Sequence, residues 1–215
     1  CVVLSMAVAE DASQQSVRLM HGALVSLASA HDAVFLARKG NAGDVIFGIQ
    51  RVTEYDLAVA LQTARAVYED LLAADAGMAE KLRGCLSAGL AIASMKRFGG
   101  WTGEAIASAV IASARELLDG TPPGHLAFDP ATQDLIDVFG IGGYQEVAPV
   151  MAFSGLDKLH WTGSRRAYPL IGRADELATL DAAMSEAAKG QGGLIHVEGE
   201  MGMGKTRLCD EVLQH

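Results

Sequence analysis

The stretch with the most definite chemistry runs from Gly199 to Thr206 and spells Gly-x-x-x-x-Gly-Lys-Thr. Glycines at Gly199, Gly202 and Gly204 let the amides of Met201, Gly202, Met203, Gly204 and Lys205 turn inward around a phosphate. Lys205 then reaches the outer phosphates, and the Thr206 hydroxyl ligates a magnesium ion. Leu194, Ile195 and Val197 predict a short buried strand before this loop, and Thr206 to Leu213 predict a helix after it. The plain alternative is a glycine-rich turn that happens to precede Lys-Thr. Strand, loop and helix in that order favour phosphate binding, with ATP and magnesium as the expected ligands. A nucleotide hydrolase of this type also needs an acidic residue on a second strand. His215 lies nine residues beyond Thr206. The sequence is therefore expected to hold the entrance of such a domain, with weak nucleotide binding and no hydrolysis of its own.

A second candidate is Asp44, which follows the turn-forming run Lys39-Gly40-Asn41-Ala42-Gly43. An aspartate there is more often a turn or capping residue than a ligand. Lys39 reads as a solvated turn lysine.

These residues are carried by a chain that is half apolar, enough for a real core. Twenty-six acidic against 17 basic residues give a net charge of −9, which argues against a nucleic-acid surface in this stretch. Cys1, Cys85 and Cys209 share no metal-binding spacing and read as reduced thiols of a cytoplasmic protein. The longest apolar run, Ala105 to Ala114, is too short to span a bilayer. No membrane partner is expected.

Periodicity predicts a first strand over Cys1–Val8 and a helix capped by Ser13 with Val17, Met20, Leu24 and Leu27 on one face. Two short strands follow, Ala33–Leu36 and Val45–Phe47, joined by the Lys39–Asp44 hairpin. Thr53 is expected to cap a second helix with Leu57, Leu61, Ala64, Val67 and Leu71 inward. A strand over Cys85–Ala93, a helix over Thr102–Leu118, a strand at His125–Phe128, a helix at Pro130–Asp137 and a strand at Glu146–Phe153 complete the first domain, 1–153. The order, which opens β-α-β-β-α-β-α-β, implies an α/β sandwich with helices on one side of a mixed sheet. Residues 154–169 have no period and read as a linker. Residues 170–215 form the second piece, opening with a helix over Ala174–Ala188.

Two resemblances follow from these residues. The segment Leu170-Ile171-Gly172-Arg173-Ala174-Asp175-Glu176-Leu177, with the phosphate loop behind it, looks like the entrance of AAA-type or STAND signalling ATPases. That resemblance places Gly172 and Arg173 beside the bound adenine. The first 153 residues resemble a class III nucleotidyl cyclase domain, a ferredoxin-like sandwich. The resemblance is carried by Gly43-Asp44-Val45-Ile46-Phe47, by Ala88–Ala93 with Gly103-Glu104-Ala105-Ile106, and by Pro123–Thr132.

Such cyclases hold two metal ions between two aspartates, because the attacking hydroxyl must be activated while the triphosphate is held. Asp44 matches the hairpin aspartate, whereas the first-strand position falls on Ala7. Glu10 and Asp11 reach that position only by a shift past the strand end. The family's helical Asn and Arg, which orient the ribose and the transferring phosphates, fall on Ala107 and Ile111 in one register. Counting from Arg115 keeps the arginine and puts Ile111 at the Asn position. Lys39 sits one residue from the family's purine-reading lysine.

The resemblance implies a regulator whose cyclase-like domain has lost its chemistry and serves as a head-to-tail homodimerisation module in front of an ATP-binding switch. The rival readings are a working adenylate or guanylate cyclase and an interaction domain unrelated to nucleotides. Ala7 facing Asp44 is expected in the first reading, and two close carboxylates in the second.

Overall fold

A computed structural model describes residues 1–38, 40–53, 55–97, 100–139, 141–148, 150–154, 172–199 and 204–212. The chain divides into two compact units, Cys1–Arg165 and Arg166–His215. None of the described helices is long and apolar enough to cross a membrane.

The first unit is built on β1 (Val2–Val8), an apolar run interrupted only by Ser5, with all seven residues buried. A strand apolar on both faces must be covered on both. Its ladder groups must also be paired on both edges, because a buried unpaired amide costs as much as a lost hydrogen bond. Both demands are met. β3 (Ala42–Phe47) and β4 (Leu82–Ala88) flank β1, each antiparallel to it. β2 (Val34–Ala37) extends the sheet on one side. β5 (His125–Phe128) lies parallel to β4 on the other, followed by β7 (Val150–Ser154) and β6 (Tyr144–Val147). The sheet is seven-stranded and mixed, in the order β2-β3-β1-β4-β5-β7-β6.

One face carries α1 (Gln14–Ala30), α2 (Asp56–Ala74) and α4 (Pro130–Val138). α1 is capped as expected, with the Ser13 oxygen accepting from the Ser16 amide, and it buries Met20, Leu24 and Ala28 at four-residue spacing. Val2, Leu4, Met6 and Val8 of β1 pack into this core. Thr53 does not cap α2 with its own oxygen. Its amide and hydroxyl instead donate to the Asp56 carboxylate.

Helices were expected on one side only, and the structure corrects this. α3 (Ala109–Gly120) covers the opposite face, where Ile111, Ala114 and Leu118 pack against Val3, Ala7, Ile46 and Cys85. α3 also starts later than its apolar period suggested. Gly100 and Gly103 adopt left-handed φ of 84° and 91°, which breaks the helix, and Ser108 supplies the cap to the Val110 amide. Residues 89–97 and 100–107 instead form an arm closed by the bridges Ile92–Ala107 and Met95–Trp101. The last expected strand is a hairpin, β6–β7.

The second unit contains α5 (Ala174–Ala188), with Asp175 and Glu176 in its first turn, and α6 (Lys205–Val212). The strand expected at Leu194–Val197 is absent: residues 191–199 are without regular structure, and Leu194 is 96% exposed. A parallel-type strand needs a hydrogen-bonded neighbour, and the described residues of this unit supply none. The expected linker lies almost wholly outside the described residues.

Cys85 sits at the centre of the sheet with its thiol donating to the Ala114 carbonyl at 2.9 Å. Burial, helped by the nearby Asp44 carboxylate, pushes the thiol from its ordinary 9.0 up to about 12. The folded chain thus keeps this proton between pH 9 and 12 while the unfolded chain releases it. Stability is therefore lost as pH rises through that window. Denaturant unfolding of wild type and Cys85→Ala should show the steeper alkaline decline in wild type, and native Cys85 should resist alkylation near pH 8.

Candidate functional site

Ser5 is the one polar residue of β1, and the antiparallel register sets it directly opposite Asp44 on β3. Asp44 is fully buried. A carboxylate in such a place must be paired and hydrogen-bonded. Ser5 Oγ donates to Asp44 Oδ1 at 2.7 Å. Arg115, on α3, donates from Nε and Nη2 to Oδ2 at 3.0 and 2.9 Å. Arg38, just past β2, brings Nη1 to 3.9 Å from Oδ1. Both carboxylate oxygens are therefore engaged by groups of the same chain.

The hairpin that delivers Asp44 is packed tightly from the other face. A Cβ on Gly43 would stand 2.9 Å from the Phe35 ring and 3.1 Å from Leu24. That spacing is too close for anything but glycine or a local shift.

The other cyclase-type positions fall apart from this carboxylate. Ala7 is paired with Ala42 and Arg83, two residues along β1 from Ser5 and on the same face. Ala107 exchanges both backbone hydrogen bonds with Ile92 in the arm. Ile111 is buried in the α3 core. Glu10 is exposed, and Asp11 is held by Lys81 at 2.8 Å, whose hydrogen bond lowers the Asp11 carboxyl below its usual range. Lys39 lies outside the described residues. Among the described residues, no group of three or more His, Cys, Asp or Glu is placed to hold a metal ion.

Reasoning from the sequence missed Ser5, and it named Arg115 only as an alternative register. The signal for Ser5 was available: a lone hydroxyl in a strand buried on both faces needs a buried partner.

In the second unit, Arg173, Glu176, Val197, Glu198, Gly199, Gly204, Lys205 and Leu208 enclose a cavity of about 180 Å³. Gly204 takes a left-handed φ of 78° immediately before α6, a conformation that suits glycine. Lys205 Nζ donates across the loop to the Gly199 carbonyl at 2.9 Å, and Arg173 pairs with Glu176 at 2.7 Å. The two short motifs that the sequence separates by more than two dozen residues thus share one cavity. Met201, Gly202, Met203 and the Thr206 side chain lie outside the described residues.

Residues 169–215 match the AAA ATPase domain family. An uncharacterized protein of Rhizobium meliloti (strain 1021) is 24% identical over 199 residues, which is 86% of this chain and 19% of that protein. The chain therefore spans less than a fifth of the curated relative's length. The monomeric guanylyl cyclase domain of the RhoGC fusion protein from the aquatic fungus Blastocladiella emersonii superposes with a TM-score of 0.52 at 14% identity, over 70% of this chain and 91% of that one. The adenylyl cyclase CyaB from P. aeruginosa superposes with a TM-score of 0.50 at 15% identity, over 70% and 90%. The first unit has the fold of class III adenylyl and guanylyl cyclase domains. It is followed by the AAA ATPase domain match, so the chain joins a cyclase-fold unit to an AAA-type segment.

The Asp44 pairing is asymmetric, since Arg115 is 42% exposed and Asp44 is not exposed at all. Arg115→Met leaves the buried Asp44 charge with only the Ser5 hydroxyl and the 3.9 Å approach of Arg38 and should cost about 2 kcal/mol. Asp44→Asn frees only a half-solvated guanidinium and should cost less. The double variant should recover part of the Arg115→Met loss in urea denaturation, and strict additivity of the two single losses would count against the pairing.

Proposed function

We propose that this protein is a cytoplasmic signalling regulator. In this reading a cyclase-fold domain without cyclase chemistry is joined to an ATP-binding STAND-type module and pairs with a second copy of itself. The observation that carries the reading is the Asp44 carboxylate, closed by Ser5 and Arg115 from its own chain. A metal pair needs free carboxylate oxygens from two strands. Here the hairpin carboxylate is already charge-neutralised, and Ala7 offers no ligand atom on β1. The residues present do not fit two metal ions, and no catalytic step is assigned to them. Three free cysteines agree with a reducing compartment.

The described part of the phosphate loop supports a phosphate ligand. Gly199, Gly204 and Lys205 line one cavity with Arg173, and α6 begins at Lys205, so its N-terminal amides are available to an anion. Lys205 would neutralise the outer phosphates, and Arg173 would lie against the nucleoside end. Magnesium, held through Thr206, would supply further neutralisation of phosphate charge. Binding of ATP gives the module its switch chemistry.

Head-to-tail pairing through the cyclase-fold unit is supported by the exposed apolar residues of its arm, Leu90 at 90% and Ile92 at 77%. Two large apolar side chains this close together on one arm suit a contact surface.

Three outcomes test this reading. Purified protein with ATP or GTP and manganese should yield no cyclic nucleotide, and turnover that disappears in Asp44→Ala would overturn the loss of cyclase chemistry. Isothermal titration should show ATP binding weakened about tenfold by Lys205→Ala, as expected for losing a charge-assisted phosphate contact. Light scattering should report a dimer, burying above roughly 1,000 Å², that weakens in Ile92→Glu.

A further inference from the structure

On the α3 face of the first unit lies a groove of about 430 Å³, walled by Leu36 of β2, by Trp101 and Ile106 of the arm, and by Ile111, Ala112 and Arg115 of α3. Its volume falls within the range of small-molecule sites, roughly 300–1,000 Å³. The walls are largely apolar. Two polar groups on them have bonding capacity left over. Trp101 Nε1 is buried and has no hydrogen-bond partner among the described residues, a state that costs free energy until an acceptor arrives. Arg115 spends Nε and Nη2 on Asp44, and its Nη1 makes no hydrogen bond among the described residues.

The local charge is also unbalanced. One carboxylate, Asp44, faces two guanidinium groups, Arg115 and Arg38, and Arg38 Nη1 is itself buried without a hydrogen bond among the described residues. The surplus is one positive charge, presented to the groove by the half-exposed Arg115. An acceptor-bearing anion satisfies the guanidinium and the indole together. Glu104 also lines the groove and is exposed. Its repulsion selects against ligands carrying several negative charges, such as nucleoside phosphates, more strongly than against a single one.

We propose that this groove binds a small organic monoanion, an aryl or branched-aliphatic carboxylate. Its carboxylate sits on Arg115, an oxygen accepts from Trp101 Nε1, and its apolar body lies against Leu36, Ile106 and Ile111. Occupancy would tie the arm to α3 and so couple a small acid to the surface that carries Leu90 and Ile92.

The test reads Trp101 fluorescence in the whole chain with Trp161→Phe, so that a single tryptophan reports. Naphthoate should give a saturable change, and its neutral counterpart naphthylmethanol should bind about tenfold more weakly, the expected effect of losing a charge-assisted hydrogen bond. Ala112→Phe fills the groove from an exposed helical position and keeps the Asp44 and Arg115 side chains themselves. It should abolish naphthoate binding while leaving the unfolding midpoint unchanged. The proposal is overturned if the alcohol binds as tightly as the acid, if Ala112→Phe binds naphthoate undiminished, or if ATP changes Trp101 fluorescence at lower concentration than naphthoate does.

Discussion

A strand buried on both faces and paired on both edges sets the terms for everything around it. β1 has no surface to spare, so β3 and β4 must flank it and helices must cover the sheet above and below. The side-chain period of two then decides which residues meet which cover. Val2, Leu4, Met6 and Val8 go to the α1 and α2 side, and Val3, Ser5 and Ala7 go to the α3 side. Ser5 is forced into a dry interior by this arithmetic, and its neighbour across the ladder is Asp44. A polar pair so placed needs a cation within reach, and α3 is the element packed over it. The position of Arg115 on α3 is the solution the chain holds.

The same constraint makes the two units unlike each other. In the first, each strand finds a neighbour and the ladder is complete across seven strands. In the second, Leu194, Ile195 and Val197 have strand-forming side chains and no strand neighbour among the described residues, and residues 191–199 remain irregular. The helical part of that unit stands on local features instead: acidic residues at the start of α5, a left-handed glycine before α6, and the packing of Leu208 and Val212. Strand propensity at Leu194 to Val197 is real. Propensity alone does not pair backbone groups.

Much of the fold was legible because its signals are local. Ser13 announces α1, the Lys39–Asp44 turn announces the β2–β3 hairpin, and Asp119 to Gly124 stop α3. The errors share a cause. The start of α3, the two-sided cover of the sheet and the β6–β7 hairpin depend on what packs against what, which period and propensity do not encode. The phosphate loop was readable because its chemistry lies in consecutive residues. The surroundings of Asp44 were not, because Ser5 and Arg115 are 39 and 71 residues away from it in the chain. Counting along a motif put Ala7 beside Asp44, where the ladder puts Ser5.

Gly43 and Asp44 together illustrate what a two-residue signature is worth. The glycine is required by the nearness of Phe35 and Leu24, and the aspartate is required by the guanidinium above it. Each has an occupation inside the fold that would persist if no nucleotide ever approached. A chain relieved of metal chemistry would therefore still spell Gly-Asp at this hairpin. The spelling is a record of steric and charge fit, and it is mute on turnover. The informative letters for turnover stand elsewhere, at the β1 position that could have held a second carboxylate and at whatever side chain leans over the first.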